Sequence, residues 1–134
     1  MKRTGAVYDD LDTQRAVAAV IEHCGFAVTI LLGPASELVL QTLDLSPQLV
    51  VVDLASGGSR GLGLVEDLRG AVPTCSVVVL APFEGLRESA LAAGAYDLVG
   101  TDDLRDLERC LRRLSAELSA SESGARGAQP DVLA

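Results

Sequence analysis

The stretch Leu49-Val50-Val51-Val52-Asp53-Leu54 reads as a β-strand whose apolar run ends on an acid. A continuous β-branched run of this length is what a strand covered on both faces requires, as in a parallel sheet. A second strand, Ala6-Val7-Tyr8, also runs into acids, Asp9-Asp10. Carboxylates are costly to bury without compensation. Two apolar strands that both lead to acids therefore point to a shared acidic pocket at one edge of a sheet.

Working outward, strand and helix alternate along the chain. Thr13–Cys24 reads as a helix, with Val17, Val20, Ile21 and Cys24 at i, i+3, i+4, i+7, closed by Gly25. Phe26–Leu31 is the next strand, and Ala35–Leu43 a short helix opened by Gly33-Pro34. After Leu49–Leu54 come a helix over Leu62–Val72, a strand over Ser76–Leu80 and a helix over Glu84–Ala93 closed by Gly94. Tyr96–Val99 is a short fifth strand and Asp103–Leu118 the last helix. Short connections and right-handed crossovers make this a doubly wound parallel α/β sheet with helices on both faces. Sites in such sheets lie outside the carboxyl ends of the strands, where Asp9, Asp10 and Asp53 fall.

The bulk properties narrow the function. The chain has 134 residues, 49% of them hydrophobic, which suits one folded domain and excludes a disordered chain. The formal net charge of −8 and an aromatic content of 3% argue against nucleic acid, which calls for surplus cations and stacking platforms. Arg105, Arg109, Arg112 and Arg113 crowd the last helix and read as its solvated face. No apolar run reaches the roughly 20 residues of a membrane span, and the start lacks a signal-peptide cleavage site, so a cytoplasmic location is expected. Cys24, Cys75 and Cys110 are scattered and read as small buried hydrophobes, with no zinc or disulfide framework. Residues 1–119 form the expected domain. From Ala120 to Ala134 the composition predicts a disordered tail.

Three converging carboxylates suit a hard cation such as magnesium, which takes oxygen ligands and keeps several waters. With the cation in place, the most exposed acid can accept a phosphoryl group. On these residues the chain resembles the receiver domain of two-component response regulators, over roughly Ala6 to Leu118. The segment from Pro47 to Leu64 is similar to that family's strand, phospho-accepting aspartate, loop and glycine-started helix. Gly94-Ala95-Tyr96-Asp97-Leu98-Val99 is similar to its segment entering strand five. The resemblance implies a flavodoxin-like (βα)5 fold with strand order 2-1-3-4-5. It implies Asp53 as phospho-acceptor, and Asp9, Asp10, Asp53 and the backbone carbonyl of Ala55 as ligands to Mg²⁺. A sensor histidine kinase or another signalling protein is the implied partner, and the chain is not expected to be an enzyme.

The departures from that family matter as much. Its strand-four Ser or Thr, whose hydroxyl bonds the phosphoryl group, is Ala81 here. Its strand-five lysine is Thr101, the following proline is Asp102, the aromatic switch residue is Leu98, and the loop proline after the acceptor is Gly57. Without proline the bond before Asp102 is expected to be trans, because a cis bond there costs about 3 kcal/mol. Pro82 should stiffen a loop that moves in the family. Charge-assisted hydrogen bonds contribute about 1.5–3 kcal/mol each. Losing the lysine and the hydroxyl therefore weakens the expected switch, while the acids for metal and phosphoryl transfer remain.

Other readings compete. Gly57-Gly58-Ser59-Arg60-Gly61 matches a nucleophile elbow, but the sole histidine, His23, precedes it and is expected at an exposed helix end. Gly61-Leu62-Gly63 is too short for a nucleotide loop. Leu104, Leu107, Leu111, Leu114 and Leu118 recur at coiled-coil spacing, yet a helix face packed on the sheet is the favoured account. The alternative function is a phosphorylation-independent interaction module, or a homodimer, working through the fourth helix, fifth strand and fifth helix. Glu84, Arg87, Glu88, Asp102, Asp103 and Arg105 give that face mixed charge.

Overall fold

The structure is a computed structural model that describes residues 3–8, 11–31, 35–53, 59–81, 84–100 and 104–133. The strands are β1 (Arg3–Tyr8), β2 (Phe26–Leu31), β3 (Leu49–Asp53), β4 (Ser76–Ala81) and β5 (Asp97–Gly100). The helices are α1 (Leu11–His23), α2 (Ala35–Leu45), α3 (Ser59–Ala71), α4 (Arg87–Ala93) and α5 (Leu104–Leu133). The five strands form one sheet in the order β2-β1-β3-β4-β5, all neighbours parallel. This is the doubly wound flavodoxin-like arrangement expected from the strand–helix alternation.

The two-residue period of the strands divides the core. Val50, Val52, Val77, Val79, Ala81 and Leu98 point to one side, where they meet Leu38 of α2, Leu64, Val65 and Leu68 of α3, and Ala90 of α4. Leu49, Val51, Val78, Leu80 and Val99 point to the other, against Val17 and Ile21 of α1 and Leu107, Leu111 and Leu114 of α5. Both faces of β3 and β4 are thus dry, which is why these strands are apolar without alternation. The three cysteines are free and buried. Leu107, Leu111 and Leu114 are buried under the sheet and Leu104 and Leu118 partly so, leaving the leucine repeat as a core face.

Several boundaries differ from the sequence reading. β1 starts at Arg3 rather than Ala6, because pairing with the whole of β2 extends it through polar positions. α2 runs two residues past Leu43 and ends where Ser46 takes a left-handed φ of 47° ahead of Pro47. Glu84–Leu86 is a separate 3₁₀ turn ahead of α4, with Gly85 weakening the α-helical propensity there. β5 sits one residue later than expected, at Asp97–Gly100.

The last helix has different bounds from those expected. It runs to Leu133, past the expected end at Leu118. An existing helix propagates far more cheaply than one nucleates, and here it runs on through Gly124, Gly127 and Pro130, each of which disfavours a helix interior. Leu118 is the last described side chain of α5 packed on the core.

The glycine after α4 has a specific cause. Gly94 has φ 110°, and the bonds Gly94 N–H to Leu91 O and Ala95 N–H to Ala90 O close the helix end. A Cβ on Gly94 would also stand 2.6 Å from Cγ of Arg69. Arg69 is pinned there, its Nη1 donating to the carbonyls of Pro73 at 3.0 Å and Cys75 at 2.7 Å.

Candidate functional site

Asp53 is the last residue of β3, the middle strand of the sheet. β1 lies on one side of it, with Tyr8 level with Val52, and β4 on the other, with Leu80 level with Asp53. Ala81 pairs onward with Gly100 of β5. The carboxyl ends of β1, β3, β4 and β5 therefore lie side by side, as the topology of a parallel sheet demands. Asp9, Asp10, Ala55 and Thr101 lie outside the described residues, as do Gly57, Pro82 and Asp102.

Two of the positions that the resemblance aligns with the family's switch residues, Ala81 and Leu98, are described. Ala81 is fully buried and ends in a methyl group. Leu98 is 1% exposed, pairs with Val79 and packs in the cluster under α2, α3 and α4. An aliphatic side chain already seated in the core has no polar end to draw it to the surface.

Polar chemistry gathers on the neighbouring face made by α4, β5 and α5. Asp97 begins β5 with its side chain only 20% exposed. Its Oδ1 accepts from Nη1 of Arg87 on α4 at 2.6 Å and from the backbone N–H of Leu98 at 2.8 Å. Its Oδ2 accepts from Nη2 of Arg113 on α5 at 2.8 Å. Nε of Arg113 donates to the Tyr96 hydroxyl at 3.2 Å, the guanidinium lies 5.4 Å from the Tyr96 ring centre, and that hydroxyl donates to Oε2 of Glu117 at 2.7 Å.

Charge follows this geometry. The Tyr96 hydroxyl and the Asp97 carboxylate hold Arg113 firmly protonated. Partial burial and then Glu117 push the Tyr96 phenol up. Arg112, paired with Glu108 at 2.7 Å, lowers that carboxyl, and Arg109 stands 3.6 Å from Asp106. A groove of about 450 Å³ opens between α4, β5 and α5, bordered by Arg87, Asp97, Asp106, Arg109, Cys110 and Arg113. Burial pushes the Cys110 thiol up to about 11, with Asp97 adding to the effect.

The sequence reading placed Arg87 on this face but missed Asp97, its hub. The available signal was an acid inside an edge strand, with arginines on both flanking helices. Arg113 was read as solvent-facing; it is exposed, and it also ties α5 to β5. His23 is exposed at the end of α1 as expected, 3.8 Å from Glu108. Among the described residues no helix is long and apolar enough to cross a membrane.

No protein-family model matches the chain, and no curated protein matches it in sequence. Solved structures do match. A response regulator from Thermotoga maritima superposes with a TM-score of 0.74 at 25% identity, covering 87% of this chain and 99% of the other. A candidate pilus assembly-related protein from Burkholderia pseudomallei gives 0.72 at 22% identity, covering 86% and 90%. A response regulator from the same species, bearing a phosphorylated aspartic acid and a calcium ion, gives 0.64 at 22% identity, covering 90% and 72%. Together with the β2-β1-β3-β4-β5 sheet and its flanking helices, these likenesses show that the chain has the receiver-domain fold of the response regulators.

Proposed function

We propose that the chain is an atypical receiver in phosphorelay signal transduction, with Asp53 as phospho-acceptor and a weakened switch. The observation that carries the acceptor is the place of Asp53 at the carboxyl end of the central strand, flanked by β1 and β4. The phosphorylated aspartic acid and calcium ion of the Burkholderia pseudomallei neighbour support a divalent cation at such a site. In this reading Asp9, Asp10, Asp53 and the Ala55 carbonyl form an all-oxygen set that suits Mg²⁺. The cation would offset charge on the phosphoryl oxygens while a carboxylate oxygen of Asp53 attacks phosphorus and the donor's leaving group departs. The donor is a sensor histidine kinase or another signalling protein of the cytoplasm. The chain is a signalling element rather than an enzyme.

The weak switch rests on buried Ala81 and Leu98. A population shift requires contacts that differ between states, and neither side chain supplies a polar one. Incubation with a small phosphodonor and Mg²⁺, read by intact mass, tests the acceptor. A single phosphoryl gain in wild type and none in Asp53→Asn is expected. No gain with any donor or kinase overturns the reading.

A second reading, a phosphorylation-independent protein-interaction or dimerisation module, is favoured by one observation. The Arg87–Asp97–Arg113 bridge ties α4, β5 and α5 together without any phosphoryl group. Partner binding that is the same for wild type and Asp53→Asn would select it.

A further inference from the structure

Among the described residues, three large hydrophobic side chains are exposed: Leu40 at 62%, Leu43 at 43% and Leu91 at 45%. They fall on two surfaces, one acidic and one of mixed charge in which arginines outnumber acids. Leu40 and Leu43 stand on α2 one turn apart, and the exposed Glu37 and Asp44 flank them. Glu37, Leu40 and Asp44 follow i, i+3, i+7 spacing, so acid, leucine and acid share one stripe. Leu91 stands on α4 one turn after Arg87, and Arg87 borders the groove together with Asp97, Asp106, Arg109 and Arg113. On α5, Arg109 and Arg113 are i, i+4 neighbours along the same wall.

The two surfaces cannot meet within one molecule. α2 packs on α3 and α3 on α4, so α2 and α4 lie at opposite ends of one helical layer. One surface is an acidic ridge with two leucines; the other is a groove where Arg87, Arg109 and Arg113 outnumber Asp97 and Asp106, with Leu91 one turn along α4 from Arg87. In a chain of net charge −8, a broad approach between copies is repulsive, and this pairing sets acids against a site where arginines are in excess. Arginine forks donate to carboxylates in defined geometry, so Arg113 and Arg109, which already face Asp97 and Asp106, would be shared with the acids of the ridge, and the apolar contacts would remove leucine surface from water.

We propose that copies of this chain associate head to tail, the α2 ridge of one seated in the α4–β5–α5 groove of the next. The contact is heterologous: each copy keeps a free ridge at one end and a free groove at the other, so association extends beyond a dimer unless it closes into a ring. This goes beyond the proposed signalling role and does not depend on phosphorylation. It also differs from a symmetric dimer through the α4–β5–α5 face, in which α2 takes no part.

The test is the molar mass of the full chain by light scattering after size exclusion, over a range of concentrations, at low and high sodium chloride. The wild-type mass should rise with concentration and fall back at high salt, as exposed charge pairs are screened. Glu37→Lys/Asp44→Lys and Arg109→Glu should each weaken association by at least about tenfold. Leu40→Ser/Leu43→Ser, which alters no charge, should do the same. An equimolar mixture of Glu37→Lys/Asp44→Lys with Arg109→Glu should recover a 1:1 complex that stops at two copies, since one intact ridge meets one intact groove. The proposal is overturned by a wild-type monomer at every concentration. It is equally overturned by a Glu37→Lys/Asp44→Lys variant that associates like wild type, or by a mixture of correctly folded variants that forms no complex.

Discussion

Arg113 of α5 reaches across to Asp97 of β5 at 2.8 Å, and the same carboxylate holds Arg87 of α4 at 2.6 Å. One half-buried acid thereby couples two helices that pack on opposite faces of the sheet. A carboxylate with two guanidiniums and a backbone N–H is well satisfied, and removing its charge leaves both arginines without their shared partner.

Asp97→Asn should therefore loosen α4 and β5 before it unfolds the domain. Both arginines are about half exposed, so solvent screening reduces the loss to about 1–2 kcal/mol of stability. Hydrogen exchange should speed up in α4 and β5 while β3 stays protected. An unchanged exchange pattern would show that the bridge holds nothing in place.

Gly94→Ala should destabilise the protein by about 1–2 kcal/mol, since φ 110° is strained for any residue with a Cβ and Arg69 occupies the space. Combining it with Arg69→Ala should relieve the clash but not the backbone strain. Urea denaturation of the single and double variants separates these contributions.

Leu98→Ala should cost about 2–5 kcal/mol, because the side chain is 1% exposed within the cluster under α2, α3 and α4. That outcome, measured by thermal melting, marks Leu98 as a core residue. A loss below about 1 kcal/mol would mean that the position tolerates exposure.

Alkaline pH should destabilise the fold through the thiols. Burial pushes Cys75 up from 9.0 to about 12, and Cys110 rises to about 11. A raised native value means the folded state keeps protons that the unfolded chain has lost. This contribution is complete below pH 9 and declines as the pH rises toward 12, by at most about 1.4 kcal/mol per pH unit for each thiol. Cys75→Ala should show a shallower decline in denaturant stability between pH 9 and 11 than wild type.

The sequence alone determined the layered fold. Leu49–Val52 and Val77–Leu80 are apolar on both faces, and only a sheet buried between two helical layers makes use of that. Gly25 and Gly94 marked helix ends because a left-handed φ selects glycine locally, and it does so here at 97° and 110°. Asp53 was legible for a similar reason: an acid at the end of an apolar run stands out in one dimension.

Only the tertiary structure decided the rest. Asp97, Arg87 and Arg113 lie far apart in sequence, and nothing local in any one of them reveals the other two. Their bridge exists because the β4–β5 pairing and the packing of α4 and α5 bring three separate elements to one edge. The leucine repeat of α5 could equally have served a seam between helices, and burial against the sheet resolved it. The extent of α5 beyond Leu118 was hidden because the leucine repeat ends there, whereas an established helix propagates more cheaply than a new one nucleates. Local chemistry is written residue by residue; contacts across the sheet depend on the whole chain having folded.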